Sequence, residues 1–467
     1  MERSSTAAIR LASPRDRARV AAVVMAPLIA QGAVLRRPRM LALADRWDTN
    51  RKACDLMGEL RGRYGDAPLS VDLMGRRILL LLSPGDVRAV LSATPRPFTP
   101  AGREKRAALA HFQPDGVLIS PLPDRDDRRR FNEAVLDTAR PVHRLADAMA
   151  GRIREEAAEL AATARGSALL TWDAFAPAAD RVVRRIVLGD GARDDQRLTE
   201  LLRALRADAN WSYLRRPRHR LRERFTQRLR AHLERAEPGS LASLLRQAPR
   251  TARTEPEGQV PHWLFAYDAV AMTTFTTLAV LAAQPDQADQ VREELARRGA
   301  SRTADPNGTP RLRACFLETL RLWPTTPVIL RETTDSTPWH GGTIPPGVTT
   351  VTVSTFFHRD PEHLPHPDLF MPERWLDGDA DPGPGVVPFT AGPAECPGRN
   401  LVLFTAVTLL AALLEETGYR PLTPGLAAYR RLPCTVDHTA LRLRAEPAPT
   451  VAEDAPTAAE PAPTAAG

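Results

Sequence analysis

The chain has 467 residues, a length that allows one large domain or two to three of ordinary size. Hydrophobic residues make up 43% and charged residues 26%, which excludes wholesale disorder, a collagen-like repeat and a membrane bundle. The net charge of +8 comes almost entirely from arginine, because Lys52 and Lys105 are the only lysines. Acidic residues are interspersed among the arginines, so we expect a solvated surface and no nucleic-acid partner.

The cysteines and the N-terminal apolar run bear on the compartment. The four cysteines, at positions 54, 315, 396 and 434, are too few and too dispersed for a disulfide scaffold or a zinc ribbon. The run from Val20 to Ala30 is too short to cross a membrane and contains Pro27. We therefore expect a cytoplasmic protein without a membrane span, whose first helix is buried or interfacial. A signal peptide is the less favoured alternative, because no clear cleavage site follows.

Helices dominate the predicted elements of the first two thirds of the chain. Between residues 40 and 300 the apolar positions recur three and four apart. Proline and glycine residues delimit the clearest helices. These are Trp263–Gln284 before Pro285, Asp286–Arg298 before Gly299, Pro310–Trp323 before Pro324, and Asn400–Thr417.

Two stretches near the C terminus have a different character. The β-branched runs Val328–Thr333 and Val348–Phe357, separated by glycine and proline residues, predict short antiparallel strands. Residues 445–467 repeat Ala, Pro, Glu and Thr without an aromatic residue, so they predict a disordered tail. The predicted fold class is therefore mainly α with a small β-rich region, and residues 1–34 form a separate N-terminal segment.

One segment carries most of the chemical information. Phe389, Gly392, Cys396 and Gly398 stand at fixed spacing immediately before the last predicted helix. Glycines let the backbone fold closely around a sulfur, and free N–H groups at the helix start favour a thiolate. The segment resembles the cysteine-ligand loop of the cytochrome P450 superfamily, the haem-thiolate monooxygenases. The resemblance makes Cys396 the axial iron ligand, whose electron density favours O–O cleavage. The alternative is a structural buried cysteine.

A second pattern supports the same resemblance. Glu318 and Arg321 lie one turn apart on a predicted helix, and Arg374 follows in a segment that looks like the meander motif of the family. Alone, such an acid–base pair is usually a surface salt bridge. The resemblance implies a buried structural triad of Glu318, Arg321 and Arg374, in which leaving one charge unpaired would be costly.

The implied cofactor, haem b, carries two carboxylates that need cations. Arg125 and Arg129 take the places where many bacterial members have a histidine and an arginine, and Arg331 matches a further propionate-binding arginine. Ala394 departs from the family pattern, because many members carry a cation there. We expect the other three arginines to hold the haem. The alternative is that they are ordinary surface residues.

The long helix contains the more consequential departure. The family usually shows a small residue, an acid and a threonine where this helix passes over the haem. Counting back from Pro285 by the family spacing aligns Asp268 with the acid and Ala269 with the threonine. Thr273 shares the face of Ala269 but lies about one turn further along. With the hydroxyl missing, we expect protons to come through Asp268 and ordered water, through Thr273, or through a hydroxyl on the substrate. The alternative is that Asp268 is paired with a neighbouring arginine or backbone group.

The resemblance covers residues 35–444 and predicts one haem-thiolate domain of a soluble, actinobacterial-like type. The expected reaction inserts one oxygen atom from dioxygen into a small hydrophobic molecule of secondary metabolism, with electrons from an external ferredoxin and its reductase. Ala269 leaves open a peroxide-driven or non-oxygenating enzyme, such as one that catalyses oxidative coupling or dehydration. A non-catalytic haem-binding protein is the alternative from another class. The substrate is expected to contact the loop around residues 95–120.

Overall fold

A computed structural model describes residues 8–73, 75–298, 308–376 and 383–447. The described residues form these α-helices: α1 (Pro14–Arg19), α2 (Ala26–Gln31), α3 (Pro38–Arg46), α4 (Thr49–Tyr64), α5 (Pro84–Ser92), α6 (Arg103–Leu109), α7 (Asp124–Val135), α8 (Ala146–Ser167), α9 (Trp172–Leu188), α10 (Gln196–Ala209), α11 (His219–Arg235), α12 (Pro256–Ala282), α13 (Pro285–Arg298), α14 (Pro310–Leu322), α15 (Ser354–His358) and α16 (Arg399–Glu416). A π-helix, Val20–Met25, joins α1 to α2.

The strands are short and form three sheets. They are β1 (Arg10–Leu11), β2 (Leu69–Leu73), β3 (Arg76–Leu80), β4 (Phe98–Thr99), β5 (Leu169–Thr171), β6 (Val328–Thr333), β7 (Thr337–Trp339), β8 (Gly342–Ile344), β9 (Thr349–Val353), β10 (Thr417–Pro421) and β11 (Arg442–Pro447). The strand orders are β1-β2-β3-β9-β6-β4, β10-β11-β5 and β7-β8. The mainly α fold class with a small β-rich region is confirmed.

Helix α12 is the centre of the helical layer. It is apolar on nearly all sides and contacts α7, α9, α14 and α16. Pro256 lies in its first turn, where proline fits a helix start, and Pro285 lies just beyond its end, whereas Pro261 lies inside the helix. By length and composition α12 could span a membrane, but 67% of its most apolar window is buried inside the protein.

The predicted antiparallel pairing of the two β-branched runs is present, and the largest sheet adds N-terminal strands to it. β6 pairs with β9 in the expected antiparallel sense, whereas β3 pairs with β9 and β1 with β2 in parallel. The predicted strand also ends early, at Val353, and α15 follows. A strand would place Phe356 and Phe357 on opposite faces of the sheet, whereas the helical turn buries both of them.

Both ends of the described chain contact the rest of the domain. The described part of the N-terminal segment, residues 8–34, packs onto the domain: β1 pairs with β2, and Val20 and Val24 are fully buried. At the other end, β11 pairs with β10 as far as Pro447, three residues into the predicted tail. The remainder of that tail, 448–467, lies outside the described residues.

Candidate active site

Cys396 lies in a turn that ends where α16 begins. The Cys396 amide donates to the Phe389 carbonyl at 3.0 Å, and the Glu395 amide donates to the Gly392 carbonyl at 2.8 Å. The Gly398 amide hydrogen-bonds the Cys396 sulfur. Burial raises the pKa of the Cys396 thiol, and the Gly398 hydrogen bond acts in the opposite direction. The start of a helix thus offers N–H groups to the one cysteine that the motif singled out.

The two glycines of the motif contribute to the turn in different ways. Gly392 has a φ of +68°, and a Cβ there would lie 2.3 Å from the Leu91 carbonyl oxygen at the end of α5. Both its backbone conformation and its contact therefore require glycine. A Cβ at Gly398 would meet only ordinary contacts, at 3.8 Å from Leu136 and 4.0 Å from the Cys396 sulfur. Gly398 therefore acts through its amide, which hydrogen-bonds the Cys396 sulfur, and no steric contact with the described residues requires glycine there.

Three desolvated cations lie together beside this turn. Arg125 of α7 and Arg331 of β6 are 3% and 4% exposed. Burial and the Arg125 charge lower the pKa of Arg331 to about 10. Burial, then Arg331 and Arg125, lower the pKa of Lys105 on α6 to about 7. Within the described parts of the chain, none of the three forms an ion pair with a carboxylate.

Lys105 is the member of this group that sequence reasoning missed, because its region was assigned to the substrate. Its signal is compositional: in a chain whose cations are otherwise arginines, it is one of two lysines, and the other, Lys52, is exposed. Lys105 also lowers the pKa of His262 on α12 to about 4, although burial is the larger cause. The cations therefore extend from the strand side of the site to α12.

Arg129 and Phe389 have partners in the protein itself. Arg129 lies one turn after Arg125 on α7, whose first turn holds three acidic residues that suit a helix N terminus. Its guanidinium donates to the Glu395 carbonyl and to Glu133, both at 2.5 Å. The Arg399 guanidinium lies over the Phe389 ring at 5.9 Å. Arg129 thus ties α7 to the Cys396 turn.

The acid–base pair of α14 is fully buried. The Glu318 carboxylate accepts two bonds from Arg321, at 2.8 and 2.7 Å, and one from the Trp375 indole at 2.8 Å. Arg374 comes within 3.9 Å of the same carboxylate without a hydrogen bond. Glu318, Arg321 and Arg374 are thus brought together, and Trp375, the residue after Arg374, makes the closer contact that sequence reasoning missed. Arg321 also donates to the His358 carbonyl at 2.5 Å, which fixes the chain after β9.

The middle of α12 presents a partly exposed stripe in an otherwise buried helix. Its members recur at helical spacing and face one direction: His262, Phe265, Ala266, Ala269 and Met272. Thr273 flanks this stripe and is buried, and its hydroxyl donates to the Ala269 carbonyl at 3.0 Å. The stripe continues from His262, the residue that Lys105 influences. It therefore forms a wall of the same site.

Asp268 lies beside this stripe and points elsewhere. Its carboxylate accepts a hydrogen bond from Arg206 of α10 at 2.5 Å, and the Arg206 guanidinium lies over the Phe265 ring at 4.7 Å. Asp268 and Arg206 line a cavity between α9, α10 and α12 that also holds Asp180. The paired alternative for Asp268 is therefore the arrangement present, and a proton could leave Asp268 toward the site only after Arg206 moves.

These residues fit haem b with a cysteine ligand. The Cys396 sulfur would hold the iron, the three cations Lys105, Arg125 and Arg331 would pair with the two haem carboxylates, and the stripe on α12 would line the substrate side. Desolvated cations that form no ion pair within the described residues are costly unless an anion joins them, although Asp126 and Glu133 act weakly on Arg125 from further away. This cost is the structural reason to place haem carboxylates here.

The comparisons with known proteins agree with this geometry. A model of the cytochrome P450 family matches residues 249–418, a range that holds α12, α14 and the Cys396 turn. The fold is that of a cyanobacterial P450, CYP120A1, solved with retinoic acid bound. That match has a TM-score of 0.68 and covers 84% of this chain and 93% of that one at 16% identity. Residues 249–418 are thus similar to the cytochrome P450 family, and the fold of the chain is that of a solved P450.

The curated relatives are matched over less than half of their length. A soybean 2-hydroxyisoflavanone synthase is 33% identical over 162 residues, which cover 32% of this chain and 31% of that protein. A cyclooctat-9-en-7-ol 5-monooxygenase of Streptomyces melanosporofaciens is 31% identical over 203 residues, 41% of this chain and 44% of that protein. Cyclooctatin synthase of the same organism is 32% identical over 150 residues, 32% of each chain.

Proposed function

We propose that this chain is a haem-thiolate monooxygenase that inserts one oxygen atom from dioxygen into a small hydrophobic molecule. The observation that carries the proposal is the combination of a helix-start cysteine, Cys396, with three desolvated cations that have no acidic partner in the described residues. The relative named as a monooxygenase supports the same reaction. The haem, once bound, supplies the iron at which dioxygen is activated.

The residues of the chain divide the remaining work. The Gly398 amide and α16 stabilise negative charge on the Cys396 sulfur. Lys105, Arg125 and Arg331 hold the haem carboxylates and so fix its position. The apolar stripe around Phe265 and Ala269 excludes water from the substrate side, which favours a hydrophobic ligand.

Proton supply is the step in which this chain departs from its family. Asp268 carries the ionisable group, and Arg206 holds it away from the stripe at 2.5 Å. The Thr273 hydroxyl is the nearest alcohol to Ala269 along the helix and is bonded to the Ala269 carbonyl. We propose that Asp268 delivers protons through water after Arg206 releases it, with Thr273 ordering that water.

Electrons come from an external donor in this proposal. The surface beside Cys396 carries the exposed cations Arg130 and Arg140, and Arg399 pairs with Glu395 at 3.2 Å. An acidic ferredoxin, itself reduced by a reductase, has the complementary charge for this surface. We place the protein in the cytoplasm and its substrate in secondary metabolism, in line with the Streptomyces relatives.

A peroxide-driven enzyme is the second candidate, and Ala269 favours it. Hydrogen peroxide already carries the protons that reduced dioxygen would have to receive from the protein. A site without the usual hydroxyl can therefore use peroxide without an outside proton source. Because Asp268 is engaged by Arg206, the same geometry fits a reaction in which no outside proton delivery occurs.

One set of measurements separates these functions. The reduced protein should show the red-shifted carbon monoxide band of a thiolate-ligated haem, and Cys396→Ala should abolish it. Substrate panels of terpenoid, polyketide and aromatic compounds are then screened by binding spectra. A bound compound is tested with NAD(P)H, ferredoxin, reductase and dioxygen, and separately with hydrogen peroxide alone. Product only in the first mixture supports the monooxygenase, product only in the second supports the peroxide route, and product in neither points to a binding protein.

A further inference from the structure

Cys54 and Cys434 are distant in sequence and adjacent in the fold. Cys54 lies in the middle of α4, and Cys434 lies in the segment between β10 and β11. Their side chains are hydrogen-bonded to each other, and both are free thiols. This is the only cysteine pair of the chain for which the structure shows such a contact within its described residues.

The two segments are held in register by other bonds, so the contact is not accidental. The Asp48 carboxylate, just before α4, accepts from the amides of Cys434 and Thr435 at 3.2 and 2.9 Å. Asn50 donates from its side chain to the Cys434 carbonyl at 3.3 Å and from its amide to the Thr435 hydroxyl at 3.1 Å. Asn50 lies one helical turn before Cys54, so these bonds place the two sulfurs on facing backbones.

The two thiols are electrostatically unequal. The hydrogen bond from Cys54 lowers the pKa of Cys434, against the effect of burial, and Arg359 and Arg51 lower it further while Asp48 raises it. The same contact and burial raise the pKa of Cys54 well above its ordinary value, with Arg359 and Arg51 opposing. The nearby guanidinium groups of Arg359 and Arg51 thus favour a thiolate within the pair. Cys434 is the member that lines a cavity, so we take it as the thiol that meets an oxidant first.

Cys434 also borders a cavity of about 70 Å³, which offers room for small molecules. The cavity is lined on its other sides by Thr273 of α12 and by Trp323 and Pro324 after α14. Thr273 flanks the stripe that forms one wall of the candidate active site. A small oxidant released at that site is therefore close to Cys434.

We propose that Cys54 and Cys434 form a peroxide-reactive dithiol that closes to a reversible disulfide. The Cys434 thiolate attacks hydrogen peroxide, the O–O bond breaks, and the departing oxygen leaves as water after taking a proton, so Cys434 becomes a sulfenic acid. The Cys54 sulfur then attacks Cys434, the S–S bond forms, and a second water leaves. In total, two thiols lose two electrons and two protons to one peroxide, which becomes two waters.

Peroxide is the natural oxidant for this position. An oxygen-reducing enzyme that fails to transfer oxygen to its substrate releases hydrogen peroxide, and the proposed function therefore supplies the oxidant locally. The disulfide would tie α4 to the segment beside Thr273 and Trp323, at the edge of the cavity. The reaction with added peroxide does not depend on the proposed function, so the two proposals can fail separately.

The test uses the haem-containing full chain treated with one to ten equivalents of hydrogen peroxide. Free thiols are alkylated, the protein is digested with trypsin without reduction, and the peptides are analysed by mass spectrometry. Cys54 and Cys434 fall in the short tryptic peptides 53–61 and 432–442. We expect these two peptides to be linked, with a mass two hydrogens below their sum, and to be released by dithiothreitol.

Three variants give the proposal its controls. Cys54→Ser should leave Cys434 as a sulfenic acid that a dimedone probe traps, whereas Cys434→Ser should leave Cys54 alkylated. Cys315 is the matched buried control, because burial raises the pKa of its thiol, and Cys315→Ser should form the 53–61 to 432–442 link as wild type does. Alkylation of both cysteines after peroxide, or irreversible oxidation of Cys434 without the link, would overturn the proposal. The carbon monoxide band of the same samples reports the proposed function independently.

Discussion

The Cys396 turn and the middle of α12 are the two walls of the proposed haem site, and they are built by different means. In the turn, backbone groups determine the surroundings of the sulfur. These are the φ of Gly392, the amide of Gly398 and the start of α16. In α12 the backbone is an ordinary helix, and side chains such as Asp268 and Thr273 decide the chemistry. Backbone-determined sites tolerate little change, whereas side-chain-determined sites can be altered one residue at a time.

The largest effect is expected from a substitution in the Cys396 turn, where backbone groups shape the site. Gly392→Ala should prevent stable haem binding, because its Cβ would lie 2.3 Å from the Leu91 carbonyl oxygen in a left-handed conformation. The haem content of the purified protein measures the effect. Gly425→Ala is the matched control: Gly425 also has a positive φ, of +105°, but a Cβ there meets nothing within 4 Å. Equal haem content in the two variants would show that the clash is not decisive.

On the α12 wall, Asp268→Asn tests the proton route and should leave the fold intact. The change keeps the shape and removes the ionisable group, so turnover with reductase and dioxygen should fall roughly a hundredfold. Asp180→Asn in the neighbouring cavity serves as the control and should change turnover much less. Thr273→Val should raise the fraction of electrons lost to peroxide. If Asp268→Asn and Thr273→Val both turn over normally, neither side chain relays protons.

Ala269→Thr tests the proton route by adding the missing hydroxyl. A hydroxyl at this position restores the family pattern, but it also adds bulk next to Phe265 and the stripe. We expect the added atoms to lower substrate affinity and product yield severalfold, because the small residue leaves space for the substrate. Improved coupling of electrons to product would contradict this and show that the native site merely lacks its hydroxyl.

Lys105 joins the two walls, and its charge predicts a pH effect on haem binding. In the haem-free protein its pKa is about 7, because burial and two arginines disfavour its charge. Haem carboxylates favour the charged form and raise that pKa, so binding takes up a proton in the window between pH 7 and the raised pKa. The affinity of the apoprotein for haem should therefore be constant below pH 7 and fall above it, by up to about tenfold per pH unit.

Lys52, the other lysine of the chain, provides the control for this experiment. Haem titrations at several pH values should lose the fall above pH 7 in Lys105→Met and keep it in Lys52→Met, since Lys52 is exposed. The pKa of Arg331 is lowered only to about 10, so Arg331 contributes above this window. An unchanged pH profile in Lys105→Met would remove Lys105 from the haem site.

The smallest effect is expected at the C terminus. Ending the chain after Pro447 should leave haem content and activity unchanged, because residues 448–467 lack the apolar side chains needed to dock. Ending it after Arg444 removes the β11 residues that pair with Thr417, Gly418 and Tyr419, and should lower the thermal midpoint by several degrees. Equal midpoints for the two truncations would mean that these pairs contribute nothing to stability.

Sequence reasoning predicted the features that local rules control. The bounds of α13 and α14 followed from proline and glycine, and the fold class followed from periodicity together with the Cys396 motif. It did not predict α15, because consecutive buried residues such as Phe356 and Phe357 fit a strand or a helix equally until their neighbours are known. The group around Lys105 was missed for a similar reason: it joins three segments that come together only in the folded chain. Likewise, nothing in the sequence around Asp268 specifies Arg206 as its partner.

The apolar nature of α12 has a consequence for how the protein is made. This 27-residue helix is hydrophobic enough to pass for a membrane span, and its burial depends on α14 and α16. Both partners are synthesised later, so the nascent chain exposes α12 while the ribosome is still translating them. Cys396 is also downstream, and haem can be captured only near the end of synthesis. Production in a foreign host should therefore benefit from conditions that protect nascent hydrophobic segments, such as added chaperones and low temperature.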